Sequence, residues 1–362
     1  MKIIHCSDLH LDSRMKSNLD SQKAKERRDE ILITYQNMIK YAVENNVKII
    51  LIAGDLFDRK DTTVKARNIV IDSIISNPDI DFVYLKGNHD ESGFLENLEN
   101  IPDNLKLFTS NKWTTYNYGK ITISGIEFGN LSDYEIYNTL LLNKNDFNIV
   151  TMHGQESKYE MKDKTEIINI SNLKNKNIDY LALGHIHKYK KSELDQRGTY
   201  CYSGCLEGRG FDECGEKGFV LLDINEENLK YTTEFIPIAR RTLYEINVDV
   251  SKANSTLDTE KLIDNELNDI SKDSLIKIVL KGKVEVDSEK DLNYLEKKYK
   301  ANYYFAKIYD ETTLNIDFMT YQNDASLKGE FIRLVLGQNL PEEEQSKIIL
   351  TGIKALSGEE VI

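Results

Sequence analysis

Five of the six histidines in this 362-residue chain lie in short polar segments at the carboxyl ends of apolar runs. With one further segment that carries aspartate instead, these segments are Asp8-Leu9-His10, Gly54-Asp55, Gly87-Asn88-His89-Asp90, His153-Gly154 and Gly184-His185-Ile186-His187. Imidazole and carboxylate groups together suit divalent ions such as manganese, iron or zinc. The candidate ligands are Asp8, His10, Asp55, Asn88, His153, His185 and His187. Seven ligands are too many for one ion and suit two ions about 3.5–4 Å apart that share one carboxylate.

Two of these segments place their polar side chains two residues apart. Asp8 with His10, and His185 with His187, would point the same way from an extended backbone, so each pair can reach one ion. A single Asp-x-His or His-x-His motif is weak evidence, because surface loops also contain such pairs. All five segments in order, each after a strand of buried type, make coincidence negligible. His5 lies inside the first apolar run, and we interpret it as a packed structural histidine.

The apolar runs alternate with amphipathic stretches over the first 240 residues. The predicted strands cover 2–6, 47–53, 81–86, 147–152 and 178–183, and the predicted helices cover about 23–45 and 62–76. Strands that alternate with helices indicate a layered α/β domain, which we place at residues 1–240. Because sites in such domains form where the carboxyl ends of strands meet, we expect the polar segments to converge.

The pattern changes in the last third of the chain. The elements predicted there are a strand at 242–250, a helix near 257–270, a strand at 275–283, a helix near 288–299 and a strand near 302–309. They indicate a small α+β domain over 241–323. Residues 324–362 are predicted to be helical, and two interpretations stay open: their apolar faces pack on their own domain, or they dock a partner.

Composition limits the function. Forty-seven Lys and Arg residues stand against 60 Asp and Glu residues, a net charge of −13, so a broad positive surface for nucleic acid is excluded. No apolar run approaches the roughly 20 residues of a membrane span, and the start of the chain lacks a secretory signal. Four cysteines make no disulfide framework and fit a reducing compartment. We therefore expect a cytoplasmic protein without membrane association.

The ordered polar segments resemble those of the calcineurin-like metallophosphoesterases. Three further stretches, at 8–13, 202–219 and 326–331, are similar to the nuclease branch of that family, the SbcD-like and YhaO-like DNA repair exonucleases. The resemblance implies a layered α/β domain with a β-sandwich core flanked by helices, followed by a small α+β capping domain and C-terminal helices. It also implies two metal ions, with manganese preferred.

The resemblance assigns a role to each site residue. One ion would be held by Asp8, His10, Asp55 and His187, and the other by Asp55, Asn88, His153 and His185. His89 would face the scissile phosphate and assist the leaving oxygen. Asp58 and Asp90 would orient other groups of the site. For Asp90 an alternative is equally good, namely that it is only a turn residue after the loop. Arg209 would contact a phosphate of the nucleic-acid backbone. The alternative is that its side chain is simply solvated at the loop surface.

The leading functional hypothesis is a Mn²⁺-dependent DNA exonuclease with 3′-to-5′ polarity and additional endonuclease activity. It would act at DNA ends in double-strand-break repair, together with an SMC-like coiled-coil ATPase of the SbcC or YhaN type. One alternative is a phosphatase or phosphodiesterase that acts on nucleotides or other small phosphoesters. Another is a scaffold that mainly tethers DNA ends. Whether the protein forms a homodimer is left open.

Overall fold

The chain divides into two compact units, Met1–Thr242 and Leu243–Ile362. The structure is a computed structural model that describes residues 1–15, 19–58, 62–90, 100–129, 131–157, 166–285, 288, 290–315 and 323–356. The end of the segment predicted at 324–362 thus lies partly outside the described residues, and its described part belongs to the second unit. Over the described ranges, no helix is both long and apolar enough to cross a membrane.

The first unit is built on two six-stranded sheets. Its strands are β1 Lys2–Cys6, β2 Ile49–Ala53, β3 Asp81–Leu85, β4 Leu105–Leu107, β5 Thr114–Tyr118, β6 Ile121–Gly125, β7 Phe147–His153, β8 Gln155–Ser157, β9 Ile167–Asn169, β10 Tyr180–Gly184, β11 Lys190–Glu193, β12 Thr199–Tyr202, β13 Gly218–Ile224 and β14 Tyr231–Pro237. One sheet has the order β14-β13-β1-β2-β3-β4, and the other has the order β11-β12-β10-β7-β6-β5. Strands β8 and β9 form a separate parallel pair.

Helices cover the outer faces of both sheets. They are α1 Ser21–Glu44, α2 Val64–Ile75, α3 Asp133–Thr139 and α4 Ile170–Leu173. Side chains of β2 show the layering: Ile49 and Leu51 join the cluster between the sheets, whereas Ile50 and Ile52 join the cluster under α1 and α2. Successive residues of a strand face opposite sides, so a strand covered on both sides is apolar throughout. The predicted fold class, a layered α/β domain with a sandwich core, is confirmed.

Parallel pairing places the ends of the central strands together. Strands β1, β2, β3 and β4 are mutually parallel, and so are β6, β7, β10 and β12. The carboxyl ends of β1, β2 and β3 therefore meet at one edge of the first sheet, and those of β7 and β10 meet at one edge of the second. These are the strands that precede the five polar segments.

The second unit contains a three-stranded parallel sheet. Its elements are β15 Leu243–Asp249, α5 Thr256–Glu266, β16 Leu275–Lys281, β17 Lys283–Val284, α6 Leu292–Asn302, β18 Phe305–Asp310, β19 Thr313–Leu314, α7 Leu327–Leu336 and α8 Glu342–Leu356. Ile332 and Val335 of α7 and Ile349 of α8 are buried in the same cluster as the sheet. One face of the terminal helices thus packs on its own unit. Leu327 and Leu334 of α7 remain 69% and 63% exposed.

A buried ionic network ties α1 to the loop after β12. Arg27 is only 1% exposed, and its guanidinium donates to Glu207 at 2.8 Å, to Glu30 at 2.6 Å and to the Gly208 carbonyl at 2.7 Å. The Thr34 hydroxyl donates to the other oxygen of Glu207 at 2.8 Å. Because an unpaired charge in this position would be costly, the network fixes where the loop begins.

The same carboxylate holds the end of the first unit. The backbone amides of Arg240 and Arg241 donate to Glu207 at 2.7 Å and 3.2 Å, and the Arg241 guanidinium pairs with Glu30 at 2.8 Å. Three segments that are distant in sequence therefore meet at one buried carboxylate.

Replacing Arg27 by methionine keeps the side-chain volume but leaves Glu207 without its cation. We expect Arg27→Met to lower the free energy of unfolding of the first unit by about 3–5 kcal/mol. Urea unfolding followed by fluorescence measures this, since the single tryptophan, Trp113, lies in that unit. The control is Lys40→Met on the same helix, because Lys40 forms an exposed ion pair with Glu44 at 3.7 Å. This substitution should change the free energy of unfolding by at most about 0.5 kcal/mol. Equal effects of both substitutions would contradict the assignment.

Candidate metal centre

The loop after β1 runs alongside the loop after β2. The amides of Asp8, His10 and Leu11 each donate to a carbonyl of the second loop at 3.0 Å, those of Gly54, Asp55 and Leu56 respectively. This ladder continues the sheet past the ends of its strands. It brings the first two polar segments together without a regular strand.

Several site residues have left-handed backbone. The φ angles are +51° at Asp8, +43° at His10, +52° at Asp55 and +99° at His185. The extended geometry expected for Asp8 with His10, and for His185 with His187, is therefore wrong. The side chains converge because the chain turns sharply in the loops that follow β1 and β10. A left-handed residue other than glycine costs roughly 1–2 kcal/mol. Such conformations cluster where the surroundings enforce a functional geometry.

Asp55 is the central carboxylate. Its Oδ2 lies 3.3 Å from His153 Nε2 and 3.7 Å from His10 Nε2, and its Oδ1 accepts the amide of His89 at 3.0 Å. Burial alone would raise the pKa of this carboxyl, but the hydrogen bond and charge of His153 hold it below its ordinary value. Burial opposes charge on His153, yet Asp55 raises the pKa of that imidazole to about 9. The carboxylate of Asp55 thus favours a positive charge beside it.

Asp8 forms the second buried carboxylate of the site. It accepts the Ser7 hydroxyl at 2.6 Å and the His185 amide at 2.9 Å, and its Oδ1 lies 3.8 Å from His187 Nε2. The Nε2 atoms of His10 and His187 are 3.2 Å apart. Two imidazoles and one carboxylate therefore face a common point.

Asn88 and His185 lie beside His153, which contacts Asp55. Asn88 Oδ1 is 3.1 Å from His153 Nε2, and His153 Nδ1 donates to the Ala53 carbonyl at 2.9 Å, which leaves Nε2 toward the site. The rings of His153 and His185 have centroids 5.4 Å apart. All seven predicted ligands are thus brought to the same edge of the sandwich.

The three predicted accessory groups take different positions. His89 is exposed, with its ring centroid 5.1 Å from that of His10. Asp58 Oδ1 lies 3.2 Å from His10 Nδ1. Asp90 is buried, and its carboxylate accepts the amides of Leu56, Phe57 and Gly87 at 2.9–3.1 Å, so it clasps the second and third loops together.

Arg209 contacts acidic groups of the site. Its Nη1 lies 2.8 Å from Asp58 Oδ1, and its Nη2 lies 2.9 Å from Glu213 Oε1. Glu213 also accepts from His187 Nδ1 at 2.6 Å. Burial would raise the pKa of the Glu213 carboxyl, but His187 and Arg209 hold it below its ordinary value. The sequence prediction gave Glu213 no role. The available signal was an acidic residue four positions after Arg209, within the stretch 202–219.

The donor set fits divalent cations. Among the described residues, three groups place one ligand atom from each member within 4.8 Å of one another: Asp8 with His10 and His187, Asp8 with Asp55 and His153, and His10 with Asp58 and His89. Carboxylate and imidazole donors together bind borderline divalent metals. The first two groups share the buried carboxylate of Asp8, and the buried carboxylate of Asp55 lies near both His10 and His153. Neighbouring groups joined in this way are the arrangement that two adjacent ions need.

The layered fold and this cluster of donors define a metal-dependent hydrolase. The family model described as calcineurin-like phosphoesterase matches residues 1–189, and the chain belongs to that family. The predicted resemblance is confirmed.

Relatives with curated names include proteins of two kinds. The chain is 26% identical over 297 residues to the uncharacterized metallophosphoesterase YhaO of Bacillus subtilis, covering 78% of this chain and 72% of that protein. It is 25% identical over an alignment of 388 positions to the DNA double-strand break repair protein Mre11 of Saccharolobus solfataricus, which covers 100% of this chain and 97% of that protein. Among solved structures, a dimetal phosphatase from Danio rerio matches 66% of this chain and 99% of its own, with a TM-score of 0.40 and 9% identity.

Gly54 provides a test of how tightly the site is packed. A Cβ added there would lie 2.1 Å from His153 Nδ1, and the backbone has φ +95°. Gly119 also has positive φ, +65°, but a Cβ there would meet nothing within 4 Å. We expect Gly119→Ala to cost about 1–2 kcal/mol from backbone strain, and Gly54→Ala to cost about 1–3 kcal/mol more because His153 must move. Urea unfolding followed by Trp113 fluorescence measures both, and equal costs would show that His153 is not confined.

Proposed function

We propose that this protein is a Mn²⁺-dependent DNA exonuclease that works 3′ to 5′ from DNA ends, with additional endonuclease activity, in double-strand-break repair. The observation that carries the proposal is the extent of the similarity to Mre11. The family model covers residues 1–189 only, whereas the alignment with the Saccharolobus protein covers the whole chain. The likeness therefore includes the second unit, which phosphoesterase chemistry by itself does not require.

The described geometry supports the assignment of the ligands to two ions. The first would be held by Asp8, His10, Asp55 and His187, and the second by Asp55, Asn88, His153 and His185. Asp55 suits the shared position because its carboxylate lies between His10 and His153. Two divalent cations, when bound, would neutralise charge on the phosphoryl group and supply a nucleophile by lowering the pKa of water.

The protein's own groups would complete the reaction. The exposed imidazole of His89 stands beside His10 and would donate a proton to the departing oxygen. Asp90 would keep the loops of Asp55 and His89 in register through its three backbone hydrogen bonds. The net charge of −13 leaves little attraction for DNA elsewhere, so binding would depend on the cations at the site.

The variants Asp55→Ala and His89→Ala separate metal binding from proton transfer. We expect Asp55→Ala to lose hydrolysis together with Mn²⁺ binding, because the shared carboxylate is gone. His89→Ala should keep Mn²⁺ binding and lose about 10²–10⁴-fold in kcat, since only the proton donor is removed. Calorimetric Mn²⁺ titration and nuclease assays measure these effects, with Asp195→Ala, in the turn between β11 and β12, as an unaffected control. Full Mn²⁺-dependent activity in Asp55→Ala would refute the assignment.

The substrate is tested with the wild-type enzyme. Linear DNA labelled at its 3′ end should release its label earlier than the same DNA labelled at its 5′ end. A small phosphodiester at equal enzyme should react far more slowly than linear DNA. Preference for the small phosphoester would favour the phosphatase alternative, and DNA binding without hydrolysis would favour the tethering scaffold.

The exposed leucines of α7 support the proposal that the protein has an ATPase partner. One face of α7 packs on its own unit through Ile332 and Val335, and another face leaves Leu327 and Leu334 exposed. Exposed leucines seven residues apart on a helix form an apolar strip that suits a partner helix. We propose that this strip docks the coiled coil of an SMC-like ATPase of the SbcC or YhaN type.

The docking proposal predicts a specific loss of binding. Leu334→Glu should abolish co-purification with a co-expressed coiled-coil ATPase of the SbcC or YhaN type, because a charge would enter the apolar strip. Leu141→Glu is the matched control, since Leu141 is 89% exposed and belongs to the first unit. Nuclease activity of the isolated protein should be unchanged in both variants. Retained co-purification of Leu334→Glu would contradict the proposed surface.

A further inference from the structure

Two imidazoles of the candidate metal centre are held in matching ways. The Nε2 atoms of His10 and His187 face each other at 3.2 Å, and the Nδ1 atom of each ring faces a carboxylate. His10 Nδ1 lies 3.2 Å from Asp58 Oδ1, and His187 Nδ1 lies 2.6 Å from Glu213 Oε1. Each ring therefore turns one nitrogen to an acidic side chain and the other to the ligand position.

One guanidinium joins the two carboxylates. Arg209 Nη1 donates to Asp58 Oδ1 at 2.8 Å. On its other side, Nη2 and Nε donate to Glu213 Oε1 at 2.9 Å and 3.2 Å, and the Arg209 amide donates to Glu213 Oε2 at 2.7 Å. A planar guanidinium holds two carboxylates at fixed angles, which an ammonium group does not do.

The backbone of His187 is held by the same loop. Its carbonyl accepts from Lys217 Nζ at 2.9 Å and from the Cys205 amide at 3.4 Å. Lys217 and Cys205 are both buried. The loop from Cys205 to Lys217 thus fixes the His187 main chain, while Glu213 fixes its ring.

The carboxylates determine which ring nitrogen carries a proton. A carboxylate oxygen only accepts hydrogen bonds, so His187 Nδ1, which is hydrogen-bonded to Glu213, is a donor and its Nε2 keeps its lone pair. His10 Nδ1 makes an ionic contact with Asp58 at 3.2 Å without hydrogen-bond geometry, and this contact favours the same tautomer. Arg209 Nη2 also lies 3.3 Å from His187 Nδ1, but the 2.6 Å distance to Glu213 is much shorter and makes Nδ1 the donor. For both rings, Nε2 is then the nitrogen available to a cation.

We propose that Asp58, Arg209 and Glu213 form one positioning unit that presents Nε2 of His10 and His187 to the same divalent cation. The inference rests on the proposed two-metal function. It adds Glu213, gives Arg209 a new role, and specifies which imidazole Asp58 orients. The unit lies on the Nδ1 side of both rings, away from the nitrogens that face the ligand. With its donors directed to Asp58 and Glu213, Arg209 serves the metal site in preference to a substrate phosphate.

The test measures Mn²⁺ binding to metal-free full-length protein by titration calorimetry. Wild-type protein should bind two Mn²⁺ ions. In Arg209→Gln and Glu213→Gln, one binding event should weaken by about 10–100-fold, while the event assigned to Asn88, His153 and His185 stays as it was. Arg197→Gln is the matched control, because Arg197 pairs with Asp179 at 2.8 Å in another loop.

Two further measurements distinguish positioning from general destabilisation. Arg209→Lys keeps the charge without the planar fork, so it should fold like wild type and recover only part of the lost affinity. Paramagnetic resonance should show a coupled Mn²⁺ pair in wild type and an isolated Mn²⁺ signal in Glu213→Gln at the same metal concentration. Wild-type affinity for both ions in folded Arg209→Gln and Glu213→Gln would overturn the positioning unit, whereas failure of wild type to bind two ions would overturn the two-metal function itself.

Discussion

The burial of Asp8 and Asp55 is the constraint on which the site depends. Both carboxylates are at most 2% exposed, and an uncompensated charge at such depth is far too costly for a folded protein to carry. Asp8 is compensated by the Ser7 hydroxyl and the His185 amide, and Asp55 by the His89 amide and the neighbouring imidazoles. The loops adopt left-handed backbone to make these contacts, so the need to balance charge determines their conformation.

The sandwich supplies the place where this balance is achieved. Parallel strands of both sheets end at one side of the first unit, and the close approach of the sheets there requires a residue without a side chain. A Cβ at Gly184 would lie 1.9 Å from the Ala53 carbonyl, so only glycine lets the end of β10 reach the end of β2. The polar groups that follow each strand are brought within reach of one another by this contact.

The loop between β12 and β13 links the site to the rest of the unit. Glu207 faces α1 and the end of the unit, where it meets Arg27 and the amides of Arg240 and Arg241. Arg209 and Glu213, a few residues later, face the imidazoles of the site. A buried ion pair at the first point and partly buried ion pairs at the second restrain the loop, because releasing either would leave a charge without a partner.

The sequence alone indicated the layered α/β class, which the structure confirms, and singled out the seven candidate ligands and His89, because these features follow from local patterns: apolar runs, helical spacing and polar residues at strand ends. The extended backbone expected at Asp8 and His10 was wrong, since the turn there is set by hydrogen bonds to a loop more than 40 residues away. Only the tertiary structure decided that Arg209 meets Asp58, 151 residues apart, and that Glu213 holds His187. Such choices depend on which loops the packed sheets bring together, and no local spacing encodes that.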